Sequence, residues 1–107
     1  MSEAKALLES FARTFGYHLG EEKKVRVNTI SQSPTMTTAG SGVKGFDDFY
    51  NHADNMSPLG NASADACAQY CAMLFSDYTK YVTMQHLYHD GGFSSMGTNP
   101  KAVGIEE

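Results

Sequence analysis

The sequence predicts an α/β protein, namely part of a parallel sheet with helices on its faces. Three observations carry this. Residues 2–19 place apolar side chains at helical spacing, "VRVNTI" is a β-branched run, and a helical stretch from Ser63 leads into a second strand-like run, "YVTMQHLYH". Strands joined through a helix are expected to pair in parallel, with a right-handed crossover. Two parallel strands bury too little to stand alone, so the pattern reads as the second part of a larger sheet.

The elements follow in order. Ala4, Leu7, Leu8, Phe11, Phe15 and Leu19 define the apolar face of the first helix, with Gly20 following its end. Val25, Val27 and Ile30 mark the first strand. "SQSPTMTTAGSG" then breaks all periodicity and reads as a loop. Val43, Phe46, Phe49, Tyr50 and Ala53 suggest one or two short helical turns before "SPLGNAS" interrupts again. Ser63 is a good N-cap for a helix through "ADACAQYCAMLFSD", with Asp65 in its first turn and Ala66, Tyr70, Met73 and Leu74 on one side. A second strand runs from about Val82 to His89 and stops at a glycine pair, and the tail "KAVGIEE" is expected to be loose.

Composition narrows the function classes. The 107 residues make one domain at most, and 41% hydrophobic content is too high for disorder. Twelve acids against eight bases, with no basic run, argue against a nucleic-acid partner. Charges at Glu3, Lys5, Glu9 and Arg13 exclude a signal peptide or membrane span at the start, and the expected protein is soluble and cytoplasmic. Formal sequons at Asn55 and Asn61 carry no weight without a secretory signal.

Several constellations invite chemistry. "GSGVKG", residues 40–45, matches the dinucleotide fingerprint G-x-G-x-x-G. The match lacks its context, because about nine polar residues separate Gly40 from the preceding strand, whereas the phosphate-binding turn starts at the strand end. His86 and His89, at i and i+3 on a strand, point to opposite faces and cannot converge on one metal ion. Cys67 and Cys71 share a helix face without the C-x-x-C spacing of a redox pair, and read as small core residues. The loop "SQSPTMTTA" is more informative: it leaves the carboxyl end of a strand, where open α/β sheets bind ligands, and it carries hydroxyls at Ser33, Thr35, Thr37 and Thr38. On pattern alone it is equally a plain surface connection, and Lys5 a solvated helix residue.

Taken together, "KKVRVNTISQSPTMTTAGSGVKGFDDFY", "MSPLGNASADACAQYCAMLFSD" and "VTMQHLYHDGGFSSMG" closely resemble the C-terminal part of bacterial NADH-dependent enoyl-acyl-carrier-protein reductases, which are divergent short-chain dehydrogenase/reductases. The resemblance runs from about Met1 to Gly97 in unbroken order. It implies a Rossmann-like doubly wound fold of which residues 1–107 are the C-terminal part of one domain. The glycine-rich dinucleotide turn and most of the sheet would lie upstream. It also implies reduction of trans-2-enoyl thioesters by NADH in fatty acid biosynthesis, with an enoyl-acyl-carrier-protein substrate and a homotetrameric assembly.

Residue by residue, the resemblance puts Lys5 at the lysine of the family's tyrosine–six residues–lysine motif, binding the cofactor ribose and lending positive charge. The tyrosine would fall upstream of Met1, so Met1 is expected to be an internal methionine or the edge of a truncated gene. Ser33, Pro34, Thr35, Met36, Thr37, Thr38 and Ala39 would form the loop on the nicotinamide and diphosphate. Ala39, Gly40, Val43 and Phe46 would belong to the mobile flap that closes over the acyl chain. The chain by itself is then expected to be inactive. The alternative is a non-catalytic binding or assembly module, or a decayed gene product, that keeps only the oligomer surfaces of the fold.

Overall fold

The computed structural model describes residues 2–36, 42 and 44–105. The elements are helix α1 (Ser2–Lys23), strand β1 (Thr29–Gln32), helix α2 (Phe46–Met56), helix α3 (Ala64–Leu74) and strand β2 (His86–His89), with 3-10 turns at Asp77–Thr79, Phe93–Ser95 and Pro100–Val103. The two strands form one sheet. Thr29 N–H donates to Gln85 O at 3.0 Å and Ser33 N–H to His89 O at 3.1 Å, so the pairing advances in the same direction on both strands and is parallel, as the crossover requires.

Both strands are shorter than the sequence predicts. Val25 and Val27 lie outside β1 because their backbone is used elsewhere. The first helix runs past Gly20, through the helix-forming Glu21–Lys23, and ends where Lys24 turns left-handed at φ +57°. Lys24 N–H then bonds Gly20 O and Val25 N–H bonds Leu19 O, which satisfies carbonyls at the helix end. Val27 N–H goes to the Thr83 hydroxyl at 3.0 Å. On the other side Val82 N–H closes a turn on Thr79 O, and Met84 sits at φ +60°, so extended pairing cannot begin before His86.

The chain divides into two compact units, residues 1–31 with 71–87, and residues 32–70 with 88–107. In the first, the buried stripe of α1 is Ala12 and Gly16. The predicted face is instead open, with Leu7, Leu8, Phe11 and Phe15 each about half exposed. The reason is close approach. A methyl group at Gly16 would stand 2.5 Å from Met84 Cγ and 3.6 Å from Val27 Cβ, so only a residue without a side chain admits them. Arg26 organises the other end of this unit. Its guanidinium donates to Leu74 O at 2.5 Å and Val82 O at 3.2 Å, reaching Ser76 O and the Thr79 hydroxyl at 3.5 and 3.4 Å. One cation thereby serves carbonyls left over at the end of α3.

In the second unit α2 is one continuous helix, longer than the predicted turns, with Ala53 and Met56 buried and Phe49 largely exposed. Ser57, fully buried, closes it by donating its hydroxyl to Ala53 O at 2.7 Å. Asn99 donates to Met56 O at 3.2 Å, and its own Oδ1 caps the Pro100–Val103 turn, so residues 101–103 of the tail form a 3-10 turn where looseness is expected. Ser63 is the predicted N-cap of α3, accepting from Ala66 N–H at 3.1 Å. The helix stops at Leu74, three residues earlier than its sequence suggests, and Cys67 and Cys71 are half-buried free thiols.

Candidate functional site

The site is built on the loop that leaves the carboxyl end of β1. Ser33, the first residue beyond the strand, is 4% exposed. Its N–H continues the ladder to His89 O, and its hydroxyl accepts from Ala62 N–H at 2.8 Å. That hydroxyl is therefore turned into the fold and fixes where the loop begins. Thr35 bends back, donating its hydroxyl to Ser33 O at 3.2 Å, with Cys67 Sγ 3.9 Å away. Pro34 and Thr35 are half-buried, and Met36 is 51% exposed. Beside the loop base the His89 ring stacks on Tyr70, centroids 4.6 Å apart and 9° from parallel, and its Nδ1 meets Gln32 Oε1 at 2.8 Å.

The segment that receives Ser33 is itself held from two sides. Asn61 donates its side-chain amide to Tyr50 O of α2 at 2.9 Å, and its backbone N–H to the Asp54 carboxylate at 2.9 Å. From the other side, Leu59 N–H donates to Gly91 O at 3.0 Å. Gly91 lies at φ +67°, and a methyl group there would sit 2.1 Å from Gly60 O, so the two backbones touch with no room for a side chain. Asp90 fixes this turn: its 9%-exposed carboxylate accepts Gly92 N–H at 3.0 Å and Ser94 N–H at 2.9 Å. Burial pushes the Asp90 carboxyl up, but the hydrogen bonds from Ser94 and Gly92 outweigh it and hold the group below its ordinary 3.8.

The predicted residues are distributed as follows. Lys5 lies exposed near the start of α1, in the first unit, while Ser33, Pro34, Thr35, Met36 and Phe46 belong to the second. Phe46 opens α2 after Gly45, half-buried, its ring centroid 6.0 Å from that of Tyr50. Thr37, Thr38, Ala39, Gly40 and Val43 lie outside the described residues, as does Ser41, and with them half of "GSGVKG". His86 meets the Thr29 hydroxyl at 2.7 Å and Glu9 Oε1 at 3.5 Å, partners different from those of His89. Among the described residues no three His, Cys, Asp or Glu side chains gather as a metal site, and no described helix is long and apolar enough to cross a membrane.

Sequence reasoning places the loop correctly but misses the residues that hold it. Asn61 is read there only as a sequon, and Asp90 only as part of a strand end. For Asp90 a local signal exists, since an Asp beside Gly in a turn bonds its neighbouring backbone, whereas the Asn61 partners Tyr50 and Asp54 lie eleven and seven residues away. What the arrangement offers is a loop with a fixed base at the carboxyl edge of parallel strands. Pro34 and Met36 present flat or soft apolar surface, with the backbone of Ser33 and Thr35 between and before them. That combination suits a planar, polar-edged ring, and sits where such sheets take ligands.

Comparison with known proteins shows the family and the fold. A family model described as enoyl-(acyl carrier protein) reductase matches residues 1–94. The structure aligns with the FabI–NADH complex of Alistipes finegoldii at a TM-score of 0.91 and 66% identity, covering 98% of this chain and 37% of that one. It aligns with the enoyl-acyl-carrier-protein reductase of Plasmodium berghei, solved with triclosan, at a TM-score of 0.84 and 31% identity, covering 92% and 36% of the two chains. Among curated relatives, the chloroplastic enoyl-acyl-carrier-protein reductase (NADH) of Arabidopsis thaliana is 34% identical over 98 residues, 91% of this chain and 25% of its own length. The FabI reductase of Escherichia coli K12 is 34% identical over 100 residues, 92% of this chain and 38% of its own length. The chain thus spans a quarter to two fifths of the relatives it matches. With a family match over nearly its whole length and the Rossmann-like fold of its structural neighbours, this chain belongs to the enoyl-acyl-carrier-protein reductase family.

Proposed function

We propose that these residues form the lysine, loop and flap side of an NADH-dependent enoyl-acyl-carrier-protein reductase. In that role the protein reduces trans-2-enoyl thioesters in fatty acid biosynthesis, as a cytoplasmic homo-oligomer. The observation that carries the reading is the alignment of 98% of the chain with a FabI–NADH complex at 66% identity. The fixed base of the Ser33 loop, at the carboxyl edge of the sheet, supports it.

When bound, NADH would supply the hydride for reduction of the enoyl thioester. The chain's own residues would have separate tasks. The Lys5 ammonium would donate to the ribose hydroxyls and lend positive charge where the thioester oxygen gains negative charge. Ser33, Pro34, Thr35, Met36, Thr37, Thr38 and Ala39 would hold the nicotinamide and diphosphate part of the cofactor. Ala39, Gly40, Val43 and Phe46 would cover the acyl chain, excluding water while charge moves. An exposed Lys5 on α1 is compatible with this task, since a lysine used on a ligand must be reachable from solvent.

The remaining parts of the site come from sequence that the relatives carry and these 107 residues do not, so the chain alone is expected to be inactive. The test is a graft in which the chain replaces the matching segment of the Alistipes finegoldii reductase. The graft should oxidise NADH with a crotonyl thioester, and the 107-residue chain alone should not. An inactive but folded graft would overturn the assignment, and turnover by the isolated chain would overturn the division of labour.

A further inference from the structure

We propose that Asn61 is a positioning residue that locks the flap helix to the base of the cofactor loop. The inference rests on the proposed function, because it takes the Ser33 loop as the cofactor side and the Phe46 end of α2 as the acyl side.

The geometry is a three-way tie within one short stretch. The Asn61 side-chain amide donates to Tyr50 O, and the Asn61 backbone N–H donates to Asp54 Oδ1, both at 2.9 Å, so two successive turns of α2 are held by one residue. The next N–H along the chain, that of Ala62, donates to the buried Ser33 hydroxyl at 2.8 Å. A shift of α2 therefore pulls directly on the first residue of the loop, through two adjacent backbone positions. Tyr50 is one turn from Phe46, and their rings lie 6.0 Å apart, so the tie acts near the end of α2 assigned to substrate.

The cost of the arrangement points the same way. Asn61 Oδ1 is closed off from solvent and has no hydrogen-bond partner among the described residues. A residue chosen only to fill space would not leave an acceptor unpaired, because an apolar side chain avoids that loss. The amide is kept for its donor. Gly60, at φ +75° beside Asp54, sets the approach, and a methyl group there would come within 2.9 Å of Asp54 Oδ1 and disturb the carboxylate that Asn61 uses.

The experiment uses the grafted reductase and reads KM and kcat separately. Asn61→Ala should raise KM for the enoyl thioester by about five- to tenfold, the effect of losing roughly one hydrogen bond at the tie, while kcat at saturation changes little. Asp54→Ala removes the second strand of the tie and should give a similar rise. The double variant should fall short of the product of the two, since both act through one contact set. Asn61→Asp, nearly the same size but without the donor, should behave as Asn61→Ala and not as wild type. A graft that is inactive without these changes would count against the proposed function and not against Asn61. An active graft in which Asn61→Ala and Asp54→Ala lower the melting temperature but leave the thioester KM unchanged would overturn the inference. So would wild-type KM in Asn61→Asp, or strictly multiplicative effects in the double variant.

Discussion

Gly91→Ala should be the most damaging single methyl addition among the described glycines of the second unit. Two effects combine. At φ +67° a side chain incurs the left-handed penalty of about 1–2 kcal/mol. The new carbon would also lie 2.1 Å from Gly60 O, far inside a contact distance of roughly 3.5 Å, and both neighbours are backbone and cannot swing away. Separating them by more than about 1 Å breaks the Leu59–Gly91 hydrogen bond, a further loss of about 1 kcal/mol. The sum is about 2–3 kcal/mol, and each kcal/mol lowers the melting temperature of a domain of about 150–250 residues by roughly 2–4 °C. Thermal unfolding of the grafted reductase, followed by far-ultraviolet circular dichroism, should therefore show a fall of roughly 4–12 °C. Gly97→Ala is the matched control, because nothing lies within 4 Å of a methyl group there. If Gly91→Ala melted with Gly97→Ala, the close approach of residues 59–61 to residues 90–92 would be wrong, and with it the placement of the segment that receives Ser33.

Other expectations follow from the same contacts. Arg26→Met keeps the aliphatic stem but removes the guanidinium from Leu74 O and Val82 O, which retain the Thr79 hydroxyl and the Asn28 amide as donors, and should destabilise the grafted reductase by about 1–2 kcal/mol in urea unfolding. Gly16→Ala, against Met84 Cγ at 2.5 Å, should cost about 1–3 kcal/mol by overpacking, seen in the same titration. Asp90 sets an acid limit: its folded carboxyl titrates below 3.8, so its stabilisation is complete above about pH 5 and fades as pH falls through the folded value. Asp90→Asn should be less stable at neutral pH and should lose that part of the acid dependence, measured by unfolding across pH 2 to 7 (roughly the span over which a carboxylate titrates).

The sequence was a good guide where structure is local and a poor one where it depends on distant backbone. Ser63 announces α3 because a serine N-cap acts on residues three positions away. The β-branched run Val25–Ile30 misleads because Val25 closes α1 and Val27 bonds Thr83, partners that no periodicity reveals. The Leu and Phe stripe of α1 is the more apolar face, yet Ala12 and Gly16 are buried, since small residues let Met84 and Val27 come near. For the site, the rule that ligands bind at the carboxyl edge of parallel strands makes the Ser33 loop a candidate without any resemblance, on equal terms with a plain surface connection. The role of Lys5 rests on resemblance alone, because a lysine on an open helix has no local signature. Asn61 and Asp90 escape notice because their partners, Tyr50 and Ser94 among them, are carbonyls and N–H groups that every residue carries.

The most direct test of the account is the rate of NADH oxidation by the grafted reductase with a crotonyl thioester, compared between wild type and Lys5→Ala. The account predicts an active graft that loses most of its rate when Lys5 is removed, by about a hundredfold if the charge is worth roughly 3 kcal/mol where the oxygen turns negative. Undiminished turnover in Lys5→Ala would contradict it.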